Sequence, residues 1–281
     1  MQGAGNIACV SVCLKKLEPK LENEDFDETG VDRERGKRAE EVTEWYFRLN
    51  GFFLIPGFIV HPDRQRKKPR TEADLLGIRL KESSEGVWRT SKGDHFRPGV
   101  NRTSMTDDAL ITNASMDGTV KKHLIAMVEV KAGKCSINGP WSDIDERDQQ
   151  LAGSNMERAL SRVGFGNKTE ISTAALSMYE SLRYQGASFI VQYFSVGKYV
   201  SAELETQYPK LIQITYDQIA IFLRDRFNGF PEKIPLETDI SLWEGFGDSF
   251  RWWFESNGYR KTPSEDACKS AVSRYIEKGK C

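Results

Sequence analysis

Two side chains of opposite charge, Glu129 and Lys131, follow directly on a short apolar run. Residues 124–128 read Leu-Ile-Ala-Met-Val, which is the length and composition of a buried strand. Successive side chains of a strand point to opposite faces, so Glu129 and Lys131 share one face and Val130 lies on the other. A carboxylate and an ammonium group would therefore project into the same space, and a metal site there would need a second carboxylate.

Asp74 is the candidate for that second carboxylate. The segment 71–78 reads Thr-Glu-Ala-Asp-Leu-Leu-Gly-Ile, in which an acid again adjoins a short apolar run. Either feature alone has a simpler interpretation, because an exposed cross-strand pair explains Glu129 with Lys131 and an acid commonly begins a strand. Their combination in one chain favours a shared site.

Composition excludes several classes of protein. The chain has 281 residues, of which 39% are hydrophobic and 29% charged, which predicts one large domain or one domain with an appendage. No run approaches the ~18 apolar residues of a membrane span, and residues 7–14 are too short and broken for a secretory signal. We therefore expect a cytoplasmic protein without a membrane partner. The five cysteines show no paired spacing and are interpreted as reduced thiols.

Charge is polarised along the amino-terminal part of the chain. Residues 18–34 are predominantly acidic, whereas a basic segment just before Asp74 contains Arg64, Arg66, Lys67, Lys68 and Arg70. A solvated loop is the simpler interpretation of a charge run. Its position beside the candidate acids favours contact with nucleic acid, even though the formal net charge of the chain is only -1.

Hydrophobic periodicity and turn residues predict an α/β fold. Helices are predicted from residue 35 to the stop at Asn50-Gly51 and over 145–163, 173–184, 217–227 and 264–277. Strands are predicted over 52–60, with an interruption at Pro56-Gly57, and over 73–80, 124–130, 188–196 and 211–215. Residues 81–122 form a polar insertion. The predicted organisation is a leader (1–34), a core (35–215) and a helical, aromatic-rich carboxy-terminal subdomain (216–281).

The order helix, strand, strand, strand, helix, strand, with acids at fixed points, resembles the PD-(D/E)XK (restriction-endonuclease-like) nuclease superfamily over roughly residues 35–196. The core motif of that superfamily falls on Asp74 and on Glu129-x-Lys131. The segment 36–40, Gly-Lys-Arg-Ala-Glu, followed by Asn50-Gly51-Phe52, is similar to the first helix of archaeal Holliday-junction resolvases. The helix glutamate of those enzymes matches Glu40, and Glu41 remains an alternative.

Two departures from the family pattern are visible. The proline that gives the superfamily its name is absent before Asp74, where Glu72-Ala73 stands. The insertion at 81–122 is longer than compact resolvases carry, which weakens the specific likeness to resolvases and leaves the likeness to the superfamily.

The resemblance implies a Mg²⁺-dependent or Mn²⁺-dependent nuclease, since two carboxylates and a backbone carbonyl suit these hard ions. Asp74, Glu129 and the Val130 carbonyl would bind the metal, Glu40 would hold a metal-bound water or a second ion, and Lys131 would orient or deprotonate the attacking water. Phosphate contacts are expected from Lys134, Gln149 and Gln150.

A DNA endonuclease of prokaryotic restriction, antiviral defence or repair is the expected function, with DNA favoured over RNA as the partner. A homodimer or a partner protein of a defence complex is a further expectation. The alternative is a non-catalytic nucleic-acid-binding or assembly module of the same fold that acts through a partner protein. A nucleotide hydrolase has no support, because neither GxxxxGK[ST] nor GxGxxG occurs.

Overall fold

A six-stranded mixed sheet forms the centre of the chain in the computed structural model. The structure describes residues 28–60, 71–81, 86–88, 102–104, 122–138, 146–164, 166–228 and 264–279. Strands are β1 (Phe53–Val60), β2 (Thr71–Arg79), β3 (Gly86–Trp88), β4 (Arg102–Ser104), β5 (His123–Val130), β6 (Arg183–Gln185), β7 (Phe189–Gly197) and β8 (Ile212–Thr215). Helices are α1 (Glu28–Leu49), α2 (Glu146–Val163), α3 (Lys168–Ser181), α4 (Ala202–Gln207), α5 (Tyr216–Asn228) and α6 (Glu265–Lys278).

The strands of the central sheet are arranged around β5 and β7. β1 pairs with β2 and β2 with β5, both antiparallel, whereas β5 and β7 run parallel. Two short strands share the other side of β7: β6 pairs antiparallel with residues 190–192, and β8 pairs parallel with residues 194–197. Because β5 and β7 are central and parallel, their carboxyl ends open at the same edge of the sheet.

Helices cover both faces of the sheet, and each face has its own core. Even-numbered residues of β5 pack in one core with α1, α5 and α6, and odd-numbered residues up to Met127 pack in the other with α2 and α3. This two-sided burial explains why the strand sequence is a continuous apolar run rather than an alternation. The architecture is therefore α/β, with a mixed central sheet between two layers of helices.

Most predicted elements occur near their predicted positions, and the differences concern the ends of α1 and α3 and two short elements, β6 and α4. α1 begins at Glu28 rather than at residue 35. The sequence pattern did not reveal its first turns because residues 31–34 are exposed and show no apolar periodicity. α3 ends earlier than the predicted residue 184: Leu182 adopts a left-handed conformation (φ 57°) and donates its backbone N–H to the Met178 carbonyl. Residues 183–185 then form β6, and α4 was not predicted.

The predicted insertion at 81–122 contains the antiparallel pair β3 and β4. Its remaining residues, apart from 81 and 122, lie outside the described part of the chain, as do the aromatic residues at 243–254. α5 and α6 pack in the same core as α1. Among the described residues, no helix combines the length and the apolar character needed to cross a membrane.

Candidate active site

Glu129 occupies the last position but one of β5 and points to the face covered by α2 and α3. Its neighbours on that face, Ile125 and Met127, are buried in the second core, and the Glu129 side chain is only 2% exposed. One carboxylate oxygen accepts a hydrogen bond from Lys131 Nζ, and the other accepts one from the Tyr193 hydroxyl at 3.3 Å. A buried carboxylate with two specific donors is a costly placement in a core, and it marks this end of β5 as a site.

Asp74 lies where the regular alternation of β2 breaks. Ala73 and Leu75 are two positions apart but belong to opposite cores, whereas a regular strand would place them on one face. The pairing of β2 with β5 ends at Leu75 and Val128, and one step further on this register Asp74 is opposite Glu129. At this point Asp74 Oδ2 accepts a hydrogen bond of 2.6 Å from the Val130 backbone N–H.

The hydrogen bond between the Val130 N–H and Asp74 also stabilises the backbone. The Asp74 carboxylate takes the place of a ladder carbonyl for the Val130 N–H, so that this buried donor is satisfied where the two strands separate. Asp74 is half-buried and therefore still reaches the opening between the strands. The structure thus brings Asp74 and Glu129 together at the end of β5, as the sequence predicted.

The charge of Asp74 and burial together make Glu129 harder to ionise. Burial, followed by the charge of Asp74, raises the pKa of Glu129 to about 7, and the hydrogen bonds from Lys131 and Tyr193 oppose the rise. Burial also raises the pKa of Asp74, against the opposing effects of the Val130 N–H and the Lys131 charge. A cation between the two groups would relieve this repulsion, because an opposite charge favours the ionised forms.

Lys131 extends from a backbone that is held on both sides. Its N–H donates to the Val196 carbonyl at 2.8 Å, and its carbonyl accepts from the Tyr216 hydroxyl at 2.8 Å. The next carbonyl, that of Ala132, accepts from Arg35 Nη2 at 3.3 Å. The Lys131 side chain is 37% exposed, so its ammonium group contacts the buried Glu129 and solvent at once.

Tyr193 is a site residue that the sequence did not reveal. It lies on β7, is 1% exposed, and its hydroxyl contacts both Glu129 and the Asn138 backbone N–H. Burial, followed by the charges of Glu129 and Asp74, raises its pKa well above the usual value, so the hydroxyl stays protonated and donates a hydrogen bond to the carboxylate. Its only sequence signal was membership of an aromatic strand.

Glu40 and Glu41 of α1 take different directions. The Glu41 carboxylate accepts a hydrogen bond of 2.6 Å from the Tyr275 hydroxyl of α6, which gives it a structural partner away from the site. Glu40 is exposed and is close enough for its charge, with that of Asp74, to help raise the pKa of Tyr216, for which burial is the main cause. Of the two, Glu40 is the one on the side of the candidate site.

The donor set fits a hard divalent cation only in part. Within the described part of the chain, no three His, Cys, Asp or Glu side chains form a group that could hold a metal ion, so Glu40 does not join Asp74 and Glu129 in such a group. Two adjacent carboxylates with raised pKa values remain, beside the Val130 backbone. Mg²⁺ commonly binds through one or two carboxylates and keeps several waters, and this donor set suits that mode.

The predicted phosphate contacts have mixed outcomes. Lys134 follows the site on the β5 side and forms an ion pair of 2.9 Å with Glu203, in which both side chains are exposed. Gln149 and Gln150 lie on α2 as expected, and their side chains lie outside the described part of the structure. The same is true of the whole basic segment, which contains Arg64, Arg66, Lys67, Lys68 and Arg70.

Cys135 and Cys268 are buried free thiols. Cys135 donates a weak hydrogen bond to the Ser195 carbonyl at 3.4 Å, so it joins the loop after Lys131 to β7.

Comparison of the chain with protein-family models, with curated proteins and with solved structures found no match.

Proposed function

We propose that the chain is a metal-dependent nuclease that hydrolyses phosphodiester bonds, most simply as a DNA endonuclease. The observation that carries the proposal is the meeting of Asp74, Glu129 and Lys131 at the end of β5. Two carboxylates and an ammonium group of this kind match the motif of the PD-(D/E)XK superfamily, and they come from two neighbouring strands in the expected order.

The arrangement of the core supports a restriction-endonuclease-like fold. With the β3–β4 pair and the α3–β6 segment set aside, the order helix, strand, strand, strand, helix, strand is met by α1, β1, β2, β5, α2 and β7. Asp74 then lies on the second of these strands and Glu129 on the third. The site also opens at the carboxyl ends of parallel strands, which is where open α/β sheets bind ligands.

The residues have distinct roles in the proposed reaction. Asp74, Glu129 and the Val130 carbonyl would hold Mg²⁺ or Mn²⁺, and Glu40 lies on the side from which it can contact a water of hydration. A bound cation of this kind lowers the pKa of water and offsets negative charge on a phosphate. Lys131 would orient or deprotonate the attacking water and would stabilise the additional negative charge of the transition state.

Buried groups around these residues set their orientation. The Tyr193 hydroxyl and Lys131 Nζ fix the two oxygens of Glu129, and the Val130 N–H fixes one oxygen of Asp74. These contacts hold the carboxylates in place before any ligand arrives, so little reorganisation is required on binding.

A cleavage panel tests the proposal. Linear, circular and single-stranded DNA and RNA are incubated with the protein in Mg²⁺, Mn²⁺ or EDTA, beside Asp74→Asn and Lys131→Met. We expect divalent-dependent cutting that both variants reduce by at least about 100-fold, the scale on which loss of one transition-state contact acts. Asn keeps an acceptor for the Val130 N–H, and Met keeps the aliphatic stem of Lys131, so both variants should fold.

Lys168→Ala is the matched control, because Lys168 is an exposed residue at the start of α3 and should leave cutting unchanged. Metal-dependent cutting that survives both site variants would show that the assigned site is wrong. Retained nucleic-acid binding without cutting of any substrate would instead support the non-catalytic binding module.

A further inference from the structure

An exposed aromatic side chain stands beside the candidate site, on the segment that follows β7. Tyr199 is 60% exposed and its neighbour Val200 is 52% exposed. Adjacent exposed apolar side chains form the kind of surface at which a ligand can bind, and this pair lies on the segment that follows directly on β7. Tyr199 plays no part in the contacts of Asp74, Glu129 or Lys131 described above.

The backbone beneath Tyr199 is fixed, although its ring is exposed. The Tyr199 carbonyl accepts a hydrogen bond of 2.8 Å from the Cys135 N–H, and the Lys198 N–H donates to the Gly133 carbonyl at 2.6 Å. An isolated parallel bridge joins Lys134 to Tyr199. The segment after Lys131 and the segment after β7 are therefore held together, and a rigid aromatic group loses little entropy when it binds a ligand.

Lys198 lies over the Tyr199 ring, and Lys134 lies on the neighbouring backbone segment. Lys198 Nζ lies 5.7 Å from the centroid of the Tyr199 ring, and Lys134 is the bridge partner of Tyr199. Lys198 pairs with Glu277 at 3.3 Å and Lys134 with Glu203 at 2.9 Å, and the Glu203 side chain is 84% exposed. Exposed ion pairs contribute little to stability, so a phosphate can replace Glu203 at Lys134 with little loss.

An exposed aromatic ring with one lysine over it and a second lysine on the adjoining segment suits one ligand chemistry. Proteins bind single-stranded nucleic acid by stacking unpaired bases on aromatic rings while cations contact the backbone. Bases inside a duplex offer no free face for stacking, so this surface selects unpaired nucleotides. Glu129 pairs in register with Ser195, and Tyr199 is four residues beyond it, or ~13 Å along an extended chain.

We infer that Tyr199, with Lys198 over its ring and Lys134 on the adjoining segment, is a stacking subsite for an unpaired nucleotide beside the phosphate that the enzyme cuts. This inference rests on the proposed function, since it names the form of nucleic acid that the site accepts. The substrate is accordingly a single strand, or a duplex that carries an unpaired stretch at the site.

Binding measured without cleavage tests the subsite. The full chain carrying Asp74→Asn is titrated in EDTA against a labelled DNA single strand, a duplex with a single-stranded tail and a blunt duplex, and fluorescence anisotropy gives the affinity. Adding Tyr199→Ala should weaken binding of the first two by about tenfold and leave the blunt duplex almost unchanged. Tyr199→Phe, which keeps the ring face, should bind as well as the parent.

Phe53→Ala is the matched control, because Phe53 is an aromatic residue that is 67% exposed on β1, at the opposite edge of the sheet. Lys134→Ala should reduce the salt dependence of single-strand binding by about 0.7 in the slope of log K against log salt, the value for one phosphate contact. Equal affinity of Tyr199→Ala and its parent for the single strand, or an equal loss with the blunt duplex, would overturn the inference.

Cutting tests the proposed nuclease, and binding by Tyr199→Ala tests the subsite. If the wild-type chain cuts nucleic acid and Tyr199→Ala binds normally, the subsite is wrong and the nuclease stands. If no substrate is cut but single-strand binding depends on Tyr199, the subsite stands and the nuclease is wrong.

Discussion

Replacement of Glu129 by Gln should stabilise the protein at neutral and alkaline pH when no divalent metal is present. Burial and the charge of Asp74 raise the pKa of Glu129 from 4.5 to about 7, so the folded state keeps this proton over a range in which the unfolded state has released it. The folded state then binds more protons, and its free energy of unfolding falls as the pH rises from about 4.5 to 7.

The magnitude follows from the size of the shift. At about 1.4 kcal/mol per pKa unit, the ionised Glu129 costs the folded state about 3 kcal/mol above pH 7. Glutamine carries no charge and avoids this cost. Its amide group cannot accept from Lys131 and Tyr193 on both sides, but this penalty is the same at both pH values and cancels when they are compared. We therefore expect Glu129→Gln to gain about 3 kcal/mol at pH 8 over the difference seen at pH 4.5.

Urea denaturation at pH 4.5 to 8.5 in EDTA measures this difference directly. Glu203→Gln is the control, because hydrogen bonding to Lys134 lowers the pKa of Glu203 and its substitution should give no gain at high pH. Added Mn²⁺ should stabilise the wild type through its ionised carboxylates, by about 2.7 kcal/mol at a hundred times the dissociation constant, and should not stabilise Glu129→Gln to the same extent. Parallel pH profiles for the wild type and Glu129→Gln would refute the reasoning.

Three further predictions concern the surroundings of the site. Tyr193→Phe should lower kcat by about tenfold with little change in KM, because it removes one donor that orients Glu129; an unchanged kcat in steady-state assays would contradict this role. Gly197→Ala should destabilise the fold by about 1 to 3 kcal/mol, since a Cβ there would lie 2.7 Å from the Gly133 carbonyl oxygen. Gly133→Ala is its control, having nothing within 4 Å of the added carbon, and equal urea midpoints would disprove the steric argument. Asp74→Ala should be less stable than Asp74→Asn by about 1 kcal/mol, because Ala leaves the Val130 N–H without its acceptor; thermal unfolding of both variants compares them, and reversed stabilities would count against the contact.

The sequence was sufficient for the parts of the fold that rest on local patterns. The apolar run before Glu129 specified β5, and the Asn50-Gly51 stop ended α1 within one residue of its observed end. The predicted interruption at Pro56-Gly57 coincides with a positive φ of 57° at Gly57, although β1 continues through it. These features depend on neighbours in the chain, and a single sequence contains that information.

Features that depend on distant partners were missed. β6 has only three residues and is fixed by pairing with β7 and by a buried hydrogen bond of 2.6 Å from Arg183 to Gln192. Tyr193 could not be distinguished from its aromatic neighbours, because its role arises from Glu129, which lies 64 positions earlier in the chain. The meeting of Asp74 with Glu129 was predicted, whereas the use of Asp74 to hold the Val130 N–H was not.

The origin of the site in three different strands affects how the chain acquires activity as it folds. Asp74, Glu129 and Tyr193 come from β2, β5 and β7, and β5 pairs with β7 across a separation of 66 residues. Pairing at such a separation must close a long loop before it gains any contacts, which makes it a slow step in folding. A partly folded chain therefore has separate acids without a site, and the proposed activity would arise only when the sheet is complete.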